Sequence, residues 1–419
     1  MISKQDNETL TRVGPGTEMG DFMRSYWLPV ALSAELPEPD GAPIRVRILG
    51  EDLVAFRNTD GKVGLLDEFC PHRAASLVLA VNEENGLRCI YHGWKYAVDG
   101  SCVDIPTEPK GSAFCSRVKA KAYPTREAGG MVWAYLGKTE LEPPFPEYEW
   151  FKLPTEHCFA SKVLGECNYA QLVEGTIDSA HAGVLHRRSP WTKKFDAVVF
   201  EEILKVDLEL EYTAYGIRYA GLRETEPGKF NARVTALAMP VTTLIPPFET
   251  GATPNRRLVN VFVPRDDENT WVMQFVFDPV KPVDAEQRIR EGGLYVDKDF
   301  RKLSNRDNLY NQDRQMMKES NFSGITGILV QDHAVGESQG RILDRSKEFL
   351  GTSDLCVTAW RRQMIKGAKA LRQNAVQPVG TAPGIPYQLV SACTVTVDKN
   401  NGESWKTKAS LPPELVNAS

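Results

Sequence analysis

Two short segments, Cys70-Pro71-His72 and Cys89-Ile90-Tyr91-His92, together form the spacing C-x-H-x16-C-x2-H. Each offers one thiolate and one imidazole. A [2Fe–2S] cluster with two cysteines on one iron and two histidines on the other needs this donor set. One loop on each side can present its Cys to the first iron and its His to the second. A structural zinc ion also takes two Cys and two His, so zinc is the alternative. Zinc fingers, however, pair Cys with Cys and His with His along the chain, whereas here the order is mixed.

Asp178, His181 and His186 give a second pattern, D-x2-H-x4-H, at the end of a helix-compatible run from Asn168 to Ala180. Spacing i, i+3 places Asp178 and His181 on one helical face. His186 would point away on a continuous helix, and Gly183 offers the place where the helix ends or bends. Two neutral imidazoles and one carboxylate, with the opposite face open, suit an Fe(II) that must bind O2. Two histidines five apart are often coincidence, and the pattern gains force from its company. The chain has only six histidines, and His72, His92, His181 and His186 fall into these two motifs. His157 has no partner motif and reads as structural; His333 reads as structural or as a neighbour of a ligand.

The chain that must position these groups has 419 residues, enough for two ordinary cores. Its hydrophobic content of 42% and charged content of 25% are those of a soluble globular enzyme. A net charge of −5 argues against nucleic acid or an anionic membrane as the main partner. Met1–Leu10 is polar and mixed in charge, with no signal-peptide pattern, and no apolar stretch reaches membrane-span length, so a cytoplasmic address is expected. The eight cysteines are Cys70, Cys89, Cys102, Cys115, Cys158, Cys167, Cys356 and Cys393, and their spread does not suggest a disulfide framework.

From Pro43 to Leu136 the sequence reads as short strands and turns. Ile44–Leu49 alternates, Asp60-Gly61 and Asp99-Gly100 are hairpin signals, and Met131–Leu136 reads as a last strand. The Pro- and Glu-rich stretch Leu141–Glu147 predicts a domain boundary. Beyond it come alternating runs at Ile203–Tyr212, Arg233–Leu244, Leu258–Val263 and Trp271–Val276, then predicted helices at Asp307–Ser320 and Leu355–Arg372. The expected class is α+β, with an N-terminal arm over 1–40, a small antiparallel β domain over 41–140 and a larger domain over 141–419.

Cys70–Ser76 and Cys89–Lys95 resemble the Rieske box of the ring-hydroxylating oxygenases. Respiratory Rieske proteins carry an extra Cys in each loop; here none lies between Pro71 and Arg88 or between Ile90 and Ser101. Ala74 stands where that family usually has Gly. Leu10–Thr17, Tyr26–Pro29, Leu49–Phe56, Gln331–Gly340 and Asp344–Gly351 further resemble the phthalate dioxygenase group. The resemblance implies a small antiparallel β Rieske [2Fe–2S] domain and a larger helix-grip catalytic domain, an antiparallel sheet with helices. It implies cluster ligation by Cys70, His72, Cys89 and His92, and a mononuclear Fe(II) on His181 and His186. The third iron ligand is then a downstream carboxylate, Asp332 ahead of Glu337 and Asp344. Asp178 becomes a bridge, hydrogen-bonded to a ligand His and relaying toward His92 of a neighbouring subunit in a ring-shaped homo-oligomer, a trimer or hexamer.

Neither a G-x-G-x-x-G after a strand nor a plant-type ferredoxin cysteine run is present, so electrons are expected from a separate NAD(P)H-dependent reductase. The expected substrates are O2 and a small aromatic acid, oxidised by ring hydroxylation or, alternatively, by O-demethylation of a methoxylated acid. An aromatic carboxylate calls for a buried cation, with Arg218, Arg223 and Arg233 as candidates. A non-catalytic Rieske electron carrier would need little beyond the first domain, and the second motif counts against it.

Overall fold

The computed structural model describes residues 1–109, 112–189, 202–247, 255–373 and 377–416. The N-terminal part is built from three small antiparallel sheets. Strands Ile44–Ile48, Glu51–Arg57, Val63–Asp67 and Ala122–Tyr123 form one, and Val81–Glu83, Gly86–Arg88, Lys95–Tyr96 and Cys102–Asp104 form another. Both expected hairpins close here: Asn58 and Lys62 bracket the Asp60-Gly61 turn, and Gly100 sits at φ +82 between the strands at Lys95 and Cys102. A compact core of Val54, Phe56, Leu66, Leu77, Leu87 and Tyr96 lies between these two sheets, with Cys70 and Cys89 buried in it. The third sheet pairs Met131–Tyr135 with both Thr125–Ala128 and Trp27–Leu32, so part of the N-terminal arm is a sheet strand.

The larger part is an eight-stranded antiparallel sheet. Its order runs Cys158–Gly165, Thr270–Phe277, Arg257–Pro264, Thr242–Ile245, Lys229–Ala238, Gly216–Glu226 and Asp207–Thr213, with Cys393–Asp398 pairing along Lys229–Val234. The alternating run Arg233–Leu244 is therefore two strands, turned between Ala238 and Thr242 at Met239-Pro240, where proline has no N–H to continue the ladder. The helices Tyr169–Ile177 and Leu355–Arg372 meet over this sheet, Tyr169 packing edge-on against Trp360 at 6.1 Å. Asp307–Ser320 is not one helix: a 3-10 segment at Arg306–Asn311 precedes the helix Arg314–Glu319, which starts afresh under an Asp313 cap.

The two parts share one apolar core. Trp133 of the small sheet stacks on Phe275 of the large one at 6.0 Å, and Phe145 packs against both Trp27 and Trp133. Within the Pro- and Glu-rich stretch at Leu141–Glu147, Pro143 and Phe145 are thus packed into the seam, and Pro143 carbonyl accepts a bond from Trp27 Nε1 at 3.0 Å.

Candidate active site

The two Rieske-like loops are near-copies of one another. Cys70 N–H donates to Ala75 O and Ala74 N–H to Cys70 O, both at 2.9 Å; Cys89 N–H donates to Trp94 O and Gly93 N–H to Cys89 O, again at 2.9 Å. In each loop the fourth residue after the Cys takes a left-handed conformation, Ala74 at φ +55 and Gly93 at φ +77. That turn lets a loop with one Cys present a second donor two or three residues on. His72 and His92 come together with ring centroids 4.5 Å apart, and Trp94 stacks under His72 at 4.2 Å. The thiols lie inside and the imidazoles are half-exposed.

Burial pushes the Cys89 thiol up, and the adjacent Cys70 adds to the push. Two buried thiols cannot both ionise without a positive centre between them, and thiolates are what a cluster iron takes. His92 Nδ1 is buried without a hydrogen-bond partner. The donor set and the orphaned nitrogen fit a [2Fe–2S] group. Tyr96, which sequence reasoning missed, points its hydroxyl at Cys70 Sγ at 3.3 Å, a contact of the kind that tunes a cluster's potential.

The second site lies in the large part. Its first helix, Tyr169–Ile177, is fixed at the start by the buried Asn168, whose Nδ2 donates to Thr11 O at 2.9 Å and to Asp267 O at 2.7 Å. The helix ends at Ile177, earlier than the spacing predicts. Asp178 is its C-cap and accepts from Ala180 N–H at 2.7 Å. A new short helix, Ala182–Leu185, then separates His181 from His186. Asp178 and His181 therefore do not share one continuous helical face, and the bend falls before His181, not at Gly183.

Both histidines meet Asp332, carried by the helix Ile328–Ser338. Asp332 Oδ1 is 3.2 Å from His186 Nε2 and 3.6 Å from His181 Nε2, and one ligand atom from each of the three residues lies within 4.8 Å of the others. Asp332 Oδ1 and His181 Nδ1 are buried with no hydrogen-bond partner. Burial pushes the Asp332 carboxyl up, but positive charge on the side of His186 and His181 outweighs it and draws the group below its usual range. The orphaned acceptor and the two-imidazole, one-carboxylate set fit a mononuclear Fe(II).

Gln331 is the neighbour that spacing did not flag. Its Nε2 donates to Ile325 O at 2.7 Å, so its Oε1 is the atom that accepts from His186 Nδ1 at 2.6 Å. His186 Nε2 is thereby left as the lone-pair nitrogen facing Asp332. Asp178 Oδ2 approaches His181 Nδ1 at 3.8 Å, beyond a hydrogen bond.

The remaining candidates sit elsewhere. Glu337 is fully buried and occupied by Lys302 Nζ at 2.7 Å, Tyr310 hydroxyl at 2.8 Å and Glu166 N–H at 3.0 Å. Asp344 caps its own turn through Ser346. His333 is buried and kept neutral by desolvation and by Lys302. His157 Nδ1 meets Asp278 O at 2.8 Å.

A cavity of about 230 Å³ opens beside the triad. Asp178, His181, His186 and Asp332 line it, as do Tyr219 and four arginines, Arg233, Arg256, Arg257 and Arg288. Of the three arginines that the sequence suggested, Arg233 alone is among its lining residues. Arg218 instead pairs with Glu211 at 2.6 Å beneath Trp405, and Arg223 donates to Ser179 O at 2.7 Å.

A pair of mixed Cys–His loops with buried thiols and an open-faced histidine–carboxylate pocket in one chain define an oxygenase with two iron sites. The comparisons agree. Residues 26–124 match the Rieske [2Fe-2S] domain, and residues 134–412 match the LigXa C-terminal domain like family. The phthalate 4,5-dioxygenase oxygenase subunit of Pseudomonas putida is 40% identical, over 93% of this chain and 92% of that one. The 5,5'-dehydrodivanillate O-demethylase oxygenase subunit of Sphingobium is 32% identical, over 89% and 82%. A crystal structure of dicamba monooxygenase bound to dicamba superposes with a TM-score of 0.61 at 20% identity, over 84% and 99%, and shares the fold. The chain belongs to the Rieske non-heme iron oxygenases, in the group of phthalate-dioxygenase-like oxygenase subunits.

Proposed function

We propose that this oxygenase subunit hydroxylates a small aromatic carboxylate, with electrons from a separate NAD(P)H-dependent reductase. The observation that carries the reading is the cavity itself, which joins the histidine–carboxylate triad to a set of arginines in one partly apolar space. In this reading Cys70, His72, Cys89 and His92 hold the [2Fe–2S] cluster, and His181, His186 and Asp332 hold the mononuclear iron. Bound there, the two groups supply one-electron transfer and O2 activation. The protein's share is positioning. Gln331 fixes His186, Asp332 contributes the anionic donor, and Ile245, Leu258, Val276 and Ile328 line the cavity with apolar surface beside the triad.

Asp178 is the proposed bridge between the iron site and His92 of a second copy, in a homotrimer or a hexamer. Its place beside His181 Nδ1 supports that role, as does the exposed apolar rim of Phe69, Ile90 and Tyr91 around the cluster loops. We further infer an arm over 1–40, a cluster domain over 41–140, a catalytic domain over 141–419 and a cytoplasmic location. Among the described residues no helix is long and apolar enough to cross a membrane. The O-demethylase relative supports a second reading, oxidative removal of a methyl group from a methoxylated acid.

Product analysis under 18O2 with reductase, NADH and aromatic acids, half of them methoxylated, decides between these. A cis-diol with both oxygens labelled is the expected result. Formaldehyde with a free phenol would replace ring hydroxylation by O-demethylation, and consumption of NADH with no organic product from any acid would contradict both.

A further inference from the structure

The buried face of the helix Ala285–Gly292 is unusual for being charged, made of Arg288, Glu291 and Gly292. Arg256 engages Glu291 at 2.9 Å, and Arg257 engages Glu149 at 2.5 Å, so two of the cavity's cations already face carboxylates within the protein. Arg288 faces an amide instead. It is 7% exposed, its Nη2 donates to Gln274 Oε1 at 2.7 Å, and its Nε is buried with no partner. Gln274 in turn donates to Asn260 Oδ1 at 2.7 Å, so a ladder of three side chains across strands Thr270–Phe277 and Arg257–Pro264 holds the guanidinium in place. Burial, reinforced by Arg256, outweighs the opposing pull of Glu291, itself already engaged by Arg256, and pushes the Arg288 pKa down to about 10, which leaves it charged at neutral pH.

A desolvated cation with a neutral partner destabilises a fold unless something else supplies the counter-charge. Arg288 lines the same cavity as the triad but comes from other elements. We propose that Arg288, held by Gln274 and Asn260, is the specificity-determining residue that receives the substrate's carboxylate. This rests on the aromatic-acid reading and deepens it. The carboxylate anchors the ring at the helix Ala285–Gly292, which leaves a carbon other than the carboxyl-bearing one to face Asp332 and the two histidines.

The test is equilibrium binding to holoenzyme of phthalate, 3-chlorobenzoate and benzoate, each compared with its uncharged carboxamide. Wild-type enzyme should prefer at least one acid over its amide. Arg288→Gln should lose that preference, weakening acid binding about 30-fold or more while amide binding shifts only a few-fold. Arg288→Lys, which keeps the charge, should retain part of the preference and covers the case of a misfolded Gln variant. The unliganded Arg288→Gln protein should melt at the wild-type temperature or above it, because it buries one desolvated cation fewer beside Arg256. A wild-type preference that survives intact in Arg288→Gln, or a large fall in its melting temperature, overturns the assignment and leaves the aromatic-acid reading standing. Wild-type enzyme that binds no acid better than its amide overturns that reading and the assignment with it.

Discussion

The twin cluster loops show how much one methyl group decides. Ala74 and Gly93 occupy equivalent left-handed positions, yet only Gly93 is free of Cβ strain there. Ala74 is exposed and pays only the backbone cost of carrying a Cβ at positive φ, about 1 kcal/mol. A Cβ on Gly93 would meet the same strain and also lie 2.6 Å from Pro106 Cγ. Ala74→Gly is therefore expected to raise the temperature at which the cluster's visible absorbance is lost, by up to about 1 kcal/mol of stability. Gly93→Ala should lower it by about 2 kcal/mol or more and bleach the cluster early. Equal responses at the two positions would contradict the packing difference. The sequence shows the donors here and even the odd Ala74, but not Tyr96, whose hydroxyl reaches Cys70 only because the strand Lys95–Tyr96 folds back under the loop.

At the scale of elements, three helices hold the iron triad, and their ties are made of buried charge. Glu174, on the helix that leads to His181, accepts from Arg345 at 2.8 and 3.1 Å and from Arg361 at 2.7 Å. Burial pushes its carboxyl up, but the two guanidiniums overcome that and hold it below the usual range. A depressed folded pKa means stability fully present above the unfolded value, about 4.3, and lost as pH falls below it. Glu174→Gln should cost about 3–5 kcal/mol at neutral pH, because it leaves the buried Arg345 without an anion and Arg361 with Glu348 alone, and should flatten the acid limb of the stability–pH curve. An unchanged denaturation midpoint would contradict this. Close backbone contact does the rest: Gly327, before the Asp332 helix, and Gly293, after the Arg288 helix, approach so nearly that a Cβ on Gly327 would lie 2.6 Å from Gly293 Cα. The helix leading to His181 was legible as a pattern, but its end was not. Spacing allowed a bend at Gly183, whereas the helix stops at Ile177 and the Asp178 side chain turns the chain by accepting from Ala180 N–H, a local competition that period-counting does not see. Arg288 escaped for a related reason: in a strongly charged helix, a buried arginine looks like any exposed one.

Across the whole molecule, two metal-binding patterns about a hundred residues apart in sequence become two sites: the cluster loops on a small core of their own, and the triad in the large part, which the small part joins at Trp133, Phe145 and Phe275. The α+β class and the antiparallel character of both parts were readable from alternation and turns. The seam was not, because a Pro- and Glu-rich stretch reads as a break even when its Phe145 is packed. The partnership of Asp332 with His181 and His186 was readable only through resemblance, since nothing local in Gln331–Gly340 separates Asp332 from Glu337 until Lys302 and Tyr310 are seen to occupy the latter. The central claim is that one chain holds both iron sites. Iron and acid-labile sulfide measured on purified wild-type and Asp332→Ala protein test it most directly. The wild-type chain should carry about three irons and two sulfides, and the variant about two irons with an intact cluster spectrum. Two irons in the wild type, zinc in place of iron, or a variant that keeps its third iron would contradict it.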